Sequence, residues 1–158
     1  MREFTVATFV VHQGKVLLLL HKKLGIWLPP GGHIDQDELP DDAAVREVWE
    51  EAGIACELIG DRGVPVTEPR QLVRPFGLHV VEISPGHEHI DFIYFARLKP
   101  GTEPTLTANN ESRRIGWFSP SEWQDLPLKE DVRLWAERAV GEVGAVGGGS
   151  QLSVPSSQ

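Results

Sequence analysis

Glu47, Glu50 and Glu51 stand close together in the run Val45-Arg46-Glu47-Val48-Trp49-Glu50-Glu51-Ala52-Gly53. On an α-helix, which turns about 100° per residue, their carboxylates share an arc of about 100°. Val45, Val48 and Ala52 then face the other way, toward a core. Like charges three and four residues apart cost an isolated helix roughly 0.2–0.5 kcal/mol per pair, so three in one place ask for an offsetting positive charge. Two readings fit. A solvated acidic face partly relieved by Arg46 is one. A site for a hard cation is the other, because Mg²⁺ and Mn²⁺ take oxygen ligands and commonly combine a few carboxylates with water and substrate phosphates. The helix alone does not separate them.

The elements that must position these side chains can be read around them. Residues 3–20 predict a β-hairpin, two apolar runs turning at Gln13-Gly14, the second apolar on both faces and therefore central. Trp27-Leu28-Pro29-Pro30-Gly31-Gly32 is too rich in Pro and Gly for a regular element. A helix is expected from Pro40, with Asp41 and Asp42 at its positive end, to a stop at Gly53. Strands are expected over 54–59, 72–83, 90–98 and 115–118. Ser119-Pro120-Ser121-Glu122 reads as a capping box, with Phe118 and Trp123 as its staple. A last helix over about 130–141 has Val132, Trp135, Ala136, Ala139 and Val140 on one face. Strands interleaved with helices predict an α/β domain over 1–142, followed by a Gly/Ser-rich disordered tail, 143–158.

The segment Gly32 to Ile54 resembles the Nudix box, G-x5-E-x7-R-E-U-x-E-E-x-G-U with U a bulky aliphatic residue. Gly32, Glu38, Arg46, Glu47, Val48, Glu50, Glu51, Gly53 and Ile54 all fall in register. A chance match in a chain of this length has a probability on the order of 10⁻⁷. The resemblance implies an α/β/α sandwich with a mixed sheet, the box forming a loop–helix–loop. It implies a hydrolase that cleaves a nucleoside diphosphate linked to another group, with Mg²⁺ or Mn²⁺ as cofactor. Glu47, Glu50 and Glu51 would hold the metal, together with the backbone carbonyl of Gly32. Glu38 and Arg46 would support them as a pair. Glu50, Glu51 or Glu111 would accept the proton of the attacking water, although Glu111 also reads as an exposed acid in a polar loop. Family members are often homodimers. A nucleotide-sensing or protein-interaction module without turnover is the alternative, but such modules are expected to carry degenerate boxes.

Substrate contacts are weaker expectations. Trp27 reads as a stacking ring or a packing residue, and Lys22, Arg74 and His33 as phosphate or site contacts. Pro69 lies where ADP-ribose hydrolases of the family carry a proline. The tyrosine that marks many dinucleoside-polyphosphate hydrolases is absent, as is the motif of coenzyme A hydrolases. Nucleoside triphosphates, nucleotide sugars and ADP-ribose all remain open. His87, His89 and Asp91 would share a strand face as zinc ligands might, but a solvated strand edge is the preferred reading, and a role lining the cleft the next. Trp49, Trp123 and Trp135 read as core residues.

Composition narrows the classes. The 158 residues carry 15 basic and 23 acidic side chains, a net charge of −8 with histidine neutral. That balance argues against strong nucleic-acid binding, which rests on Lys and Arg meeting phosphates. Cys56 stands alone, so an internal disulfide is excluded and a reducing, cytoplasmic setting is expected. No run reaches the ~20 apolar residues of a membrane span.

Overall fold

The computed structural model describes residues 1–109 and 112–147. Its strands are β1 (Arg2–His12), β2 (Lys15–His21), β3 (Trp27–Leu28), β4 (Gly31–His33), β5 (Cys56–Ile59), β6 (Gly77–Ser84), β7 (His87–Leu98) and β8 (Ser112–Phe118); its helices are α1 (Pro40–Ala52) and α2 (Glu130–Gly147). β1 and β7 run parallel through the centre of the sheet, and the other pairings are antiparallel. The sheet is therefore mixed.

Side-chain alternation along the central strands gives each helix its own face. Phe9 and Val11 of β1, Val16 and Leu18 of β2, and Ile93 and Phe95 of β7 pack with Val132, Ala136 and Ala139 of α2. The intervening Val10, Leu17 and Ala96 pack with Val48 and Ala52 of α1, and Val6 and Tyr94 with Ala43 and Ala44. A helix covers each face of the sheet, an α/β architecture. This is why β2 is apolar in both phases. Cys56 is fully buried in the layer beneath α1, and burial pushes its thiol pKa up to about 12, which makes it an inert small hydrophobe.

Several expectations shift. The Pro/Gly segment does hold strand structure: β3 pairs with β2 and β4 with β1, because Trp27–Leu28 precede the two prolines and Gly31–His33 follow them, so the residues that lack an N–H lie outside both strands. β6 begins only at Gly77, after Pro75 interrupts the ladder, and β7 begins three residues early, at His87. Ser119–Glu122 closes a single 3-10 turn, Glu122–Asp125, rather than an α-helix; the Ser119 N–H donates to the Glu122 carboxylate at 2.8 Å. α2 continues through the expected domain end at 142 to Gly147, with Val143 buried; the rest of the expected tail lies outside the described residues. Trp123 is buried and Trp135 half-buried, but Trp49 is 60% exposed. Trp49 stands about 100° around α1 from Val48, beyond the edge of the stripe that meets the sheet.

Candidate active site

α1 is the element that aims the carboxylates. Pro40 occupies its first turn, Asp41 and Asp42 lie at its N-terminus, and Gly53 ends it in the left-handed conformation (φ 71°) with its N–H on Trp49 O. The loop before the helix is set by Glu38, whose carboxylate accepts the Asp35 N–H at 2.9 Å, while Asp37 takes a positive φ that Asp tolerates better than most residues.

Arg46 ties this loop to the helix. Its Nε and Nη2 donate to the two oxygens of Glu38 at 2.8 and 3.0 Å, and Nη2 also reaches the His33 carbonyl at 2.9 Å. Nη1 donates to Glu50 at 3.1 Å and to Glu47 at 3.3 Å. One guanidinium thus offsets part of the carboxylate repulsion, and its hydrogen bonds hold the Glu38 carboxyl below its ordinary pKa. Arg46→Lys keeps the charge but loses the two-pronged geometry, and it is expected to cost roughly 1–3 kcal/mol. A depressed carboxyl pKa contributes stability that is complete above the ordinary value of 4.5 and is lost as pH falls through the depressed value. Urea unfolding of both proteins should therefore show a gap that is widest at neutral pH and narrows in acid. A gap unchanged across that range would mean that the Glu38 pair contributes nothing.

The three glutamates are not equivalent. Glu51 is 7% exposed, and its Oε1 accepts the Gly31 N–H at 2.8 Å. The Glu47 side chain is largely buried and that of Glu50 is half-exposed. Gly32 lies against Glu47 so closely that a Cβ at position 32 would fall 2.1 Å from its Oε2. The donors are all oxygens, two of the side chains are sheltered, and the glycine backbone approaches where a side chain would not fit. This set suits Mg²⁺ or Mn²⁺.

A cavity of about 430 Å³ opens beside Gly31, Gly32 and Glu51. Leu19, Ile26, Leu28, Ile93 and Trp135 supply apolar wall, and His79, His89 and Asp91 supply polar groups. The Asp91 carboxylate accepts the Thr5 hydroxyl at 2.8 Å, and burial raises its pKa. Burial also lowers the pKa of His89.

His33 lines this cavity. Trp27 is not available for stacking on a substrate: it is 4% exposed, packed edge-on against Phe118 at 4.9 Å, with the Arg114 guanidinium 5.4 Å from its ring centroid. Hairpin closure draws the ring inward, because β3 pairs with β2 through Trp27. Lys22 sits exposed in the turn after β2, and Arg74 pairs with Asp61 at 3.2 Å; neither is among the residues lining the cavity. Glu111 lies outside the described residues. Lys129, just before α2, borders the cavity and carries no signal in its local sequence. Glu3, at the start of β1, accepts from His87 at 2.6 Å and is likewise visible only once the parallel pairing of β1 and β7 is known.

Comparison with known proteins agrees with this geometry. The NUDIX domain model matches residues 1–139. A solved NUDIX-family hydrolase from Clostridium perfringens is 32% identical and superposes with a TM-score of 0.81, over 90% of this chain and 99% of that one. A Bacillus subtilis protein named "Putative 8-oxo-dGTP diphosphatase" is 32% identical over 124 residues, 73% of this chain and 80% of the relative. A MutT-like protein of Streptomyces ambofaciens is 29% identical over 119 residues, 75% of this chain but 64% of that relative, so the match spans under two thirds of its length. The family match, together with an acidic helix braced by one arginine beside an apolar cavity, leads to one conclusion: the chain belongs to the Nudix hydrolase family.

Proposed function

We propose that this protein is a Mg²⁺- or Mn²⁺-dependent pyrophosphohydrolase whose substrate is a nucleoside triphosphate. The observation that carries the reading is the position of Glu51: a buried carboxylate bonded to Gly31 that borders an apolar cavity of about 430 Å³. That volume suits a small organic ligand. The apolar wall would take the base, with His79 and Asp91 as polar anchors, and the diphosphate would lie toward Gly32 and the carboxylates. The likeness to the Bacillus relative supports a nucleoside triphosphate over a nucleotide sugar or ADP-ribose.

Glu47, Glu50 and Glu51, with the Gly32 carbonyl, would hold the cation. Bound there, it would neutralise the diphosphate and stabilise the departing phosphate oxygen. Arg46 keeps Glu47 and Glu50 oriented. Glu51, fixed by the Gly31 N–H, accepts the proton as a water oxygen attacks phosphorus. The P–O anhydride bond breaks, giving a nucleoside monophosphate and pyrophosphate, with no covalent enzyme intermediate.

A panel of nucleoside triphosphates (oxidised purines included), nucleotide sugars and ADP-ribose, assayed with and without Mg²⁺ or Mn²⁺, tests this. Metal-dependent release of monophosphate and pyrophosphate from triphosphates is the expected result. Tight nucleotide binding with no hydrolysis across the panel would contradict it and indicate a sensing module.

A further inference from the structure

On the sheet face that carries the cavity, three strands bring together a cluster that the proposed reaction does not use. Glu3 of β1 is the register partner of His89 on β7, and His87 lies two residues before it on the same face. On the other side of β1, His33 of β4 is the partner of Thr5, two residues along from Glu3. The three imidazoles converge on one atom: His87, His33 and His89 place Nε2 at 2.6, 3.2 and 3.6 Å from Glu3 Oε1. Ring centroids of His33 and His87 lie 5.0 and 5.1 Å from that of His89. The His89 Nε2 atom is buried without a hydrogen-bond partner, an arrangement that costs free energy unless something fills its lone pair or takes its proton.

We propose that Glu3, His33, His87 and His89 form a binding site for one Zn²⁺ ion, separate from the carboxylates of α1. Glu3, His87 and His89 already hold their ligand atoms within 4.8 Å of one another. Bonds of 2.0–2.2 Å to a tetrahedral zinc would set such atoms about 3.3 Å apart, so small side-chain rotations suffice for these three, and the exposed His33, whose Nε2 lies 3.2 Å from Glu3 Oε1, would swing in as the fourth ligand. Three nitrogens and one oxygen suit zinc, whereas the all-oxygen set on α1 suits magnesium or manganese. The chain would thus sort two kinds of divalent ion by donor chemistry. The half-exposed His33 side chain leaves a path for entry. An ion here would pin β4, which carries Gly31 and Gly32, to β1 and β7.

The test uses the full chain without a polyhistidine tag, titrated with Zn²⁺ against a chromophoric chelator, and with Co²⁺ for its visible spectrum. Wild type should bind one Zn²⁺ and give the strong visible bands of four-coordinate cobalt. His87→Ala/His89→Ala should weaken zinc at least tenfold and abolish those bands, and His33→Gln, at an exposed position, should weaken it without disturbing the fold. Glu51→Gln should bind zinc as wild type does. The proposal is overturned if wild type takes up no stoichiometric zinc, if the histidine variants bind it unchanged, or if Glu51→Gln alone loses it. Since binding is read without substrate, its failure would leave the hydrolase reading standing.

Discussion

Replacing Glu51 by Gln is expected to lower kcat by about 10³-fold or more while leaving the folded structure intact. The amide is nearly the shape of the carboxylate, and its oxygen can still accept the Gly31 N–H that Glu51 accepts at 2.8 Å. What disappears is the negative charge, both as a cation ligand and as a proton acceptor. Thermal unfolding and steady-state hydrolysis of the best triphosphate on the panel measure the two consequences separately. Glu50→Gln is expected to lose several orders of magnitude as well, although Glu50 is half-exposed and also answers to Arg46. Retention of most activity in both variants would remove the roles assigned to the helix.

The second large effect separates two adjacent glycines. A Cβ at Gly32 would fall on the Glu47 carboxylate, 2.1 Å from Oε2, whereas a Cβ at Gly31 would fall on backbone, 2.3 Å from the carbonyl oxygen of Val6. A side-chain end can swing aside; a strand carbonyl inside the β1–β4 ladder cannot. Gly32→Ala should therefore fold with little loss of stability but move Glu47 off its position, costing about 10²-fold in kcat/KM, the usual penalty for a misplacement of about 1 Å. Gly31→Ala should instead lose roughly 1–3 kcal/mol of stability through overpacking. Chemical denaturation beside activity assays decides the point. Equal loss of stability in both variants, or full activity in Gly32→Ala, would mean that Glu47 is not held against the glycine for chemistry.

How far the sequence carries can be followed residue by residue. The limits of α1 were legible because Pro40 and Gly53 act locally, and the two-faced apolarity of β2 announced a central strand. The Arg46–Glu38 contact followed from the family pattern, not from local spacing, since the two stand eight positions apart across the start of the helix. Trp27 was left between stacking and packing, and Trp49 was misplaced, for a related reason. An aromatic ring beside Pro and Gly says nothing about the hairpin that draws it inward, and a tryptophan on an amphipathic helix can lie just past the buried stripe. The cavity was invisible because its walls come from β1, β2, β6, β7 and α2, and no single stretch of chain encodes their meeting. The same holds for Glu3, which meets His87 from 84 positions away in the chain.

The claim on which the account turns is that the carboxylates of α1 bind the divalent ion that hydrolysis requires. Titration of Mn²⁺, followed by loss of the free-ion magnetic resonance signal with nucleotide present, measures it directly. Wild type should show saturable binding, unchanged in His87→Ala/His89→Ala and weakened at least tenfold in Glu47→Gln/Glu51→Gln. Equal manganese affinity in wild type and the double glutamine variant would contradict it.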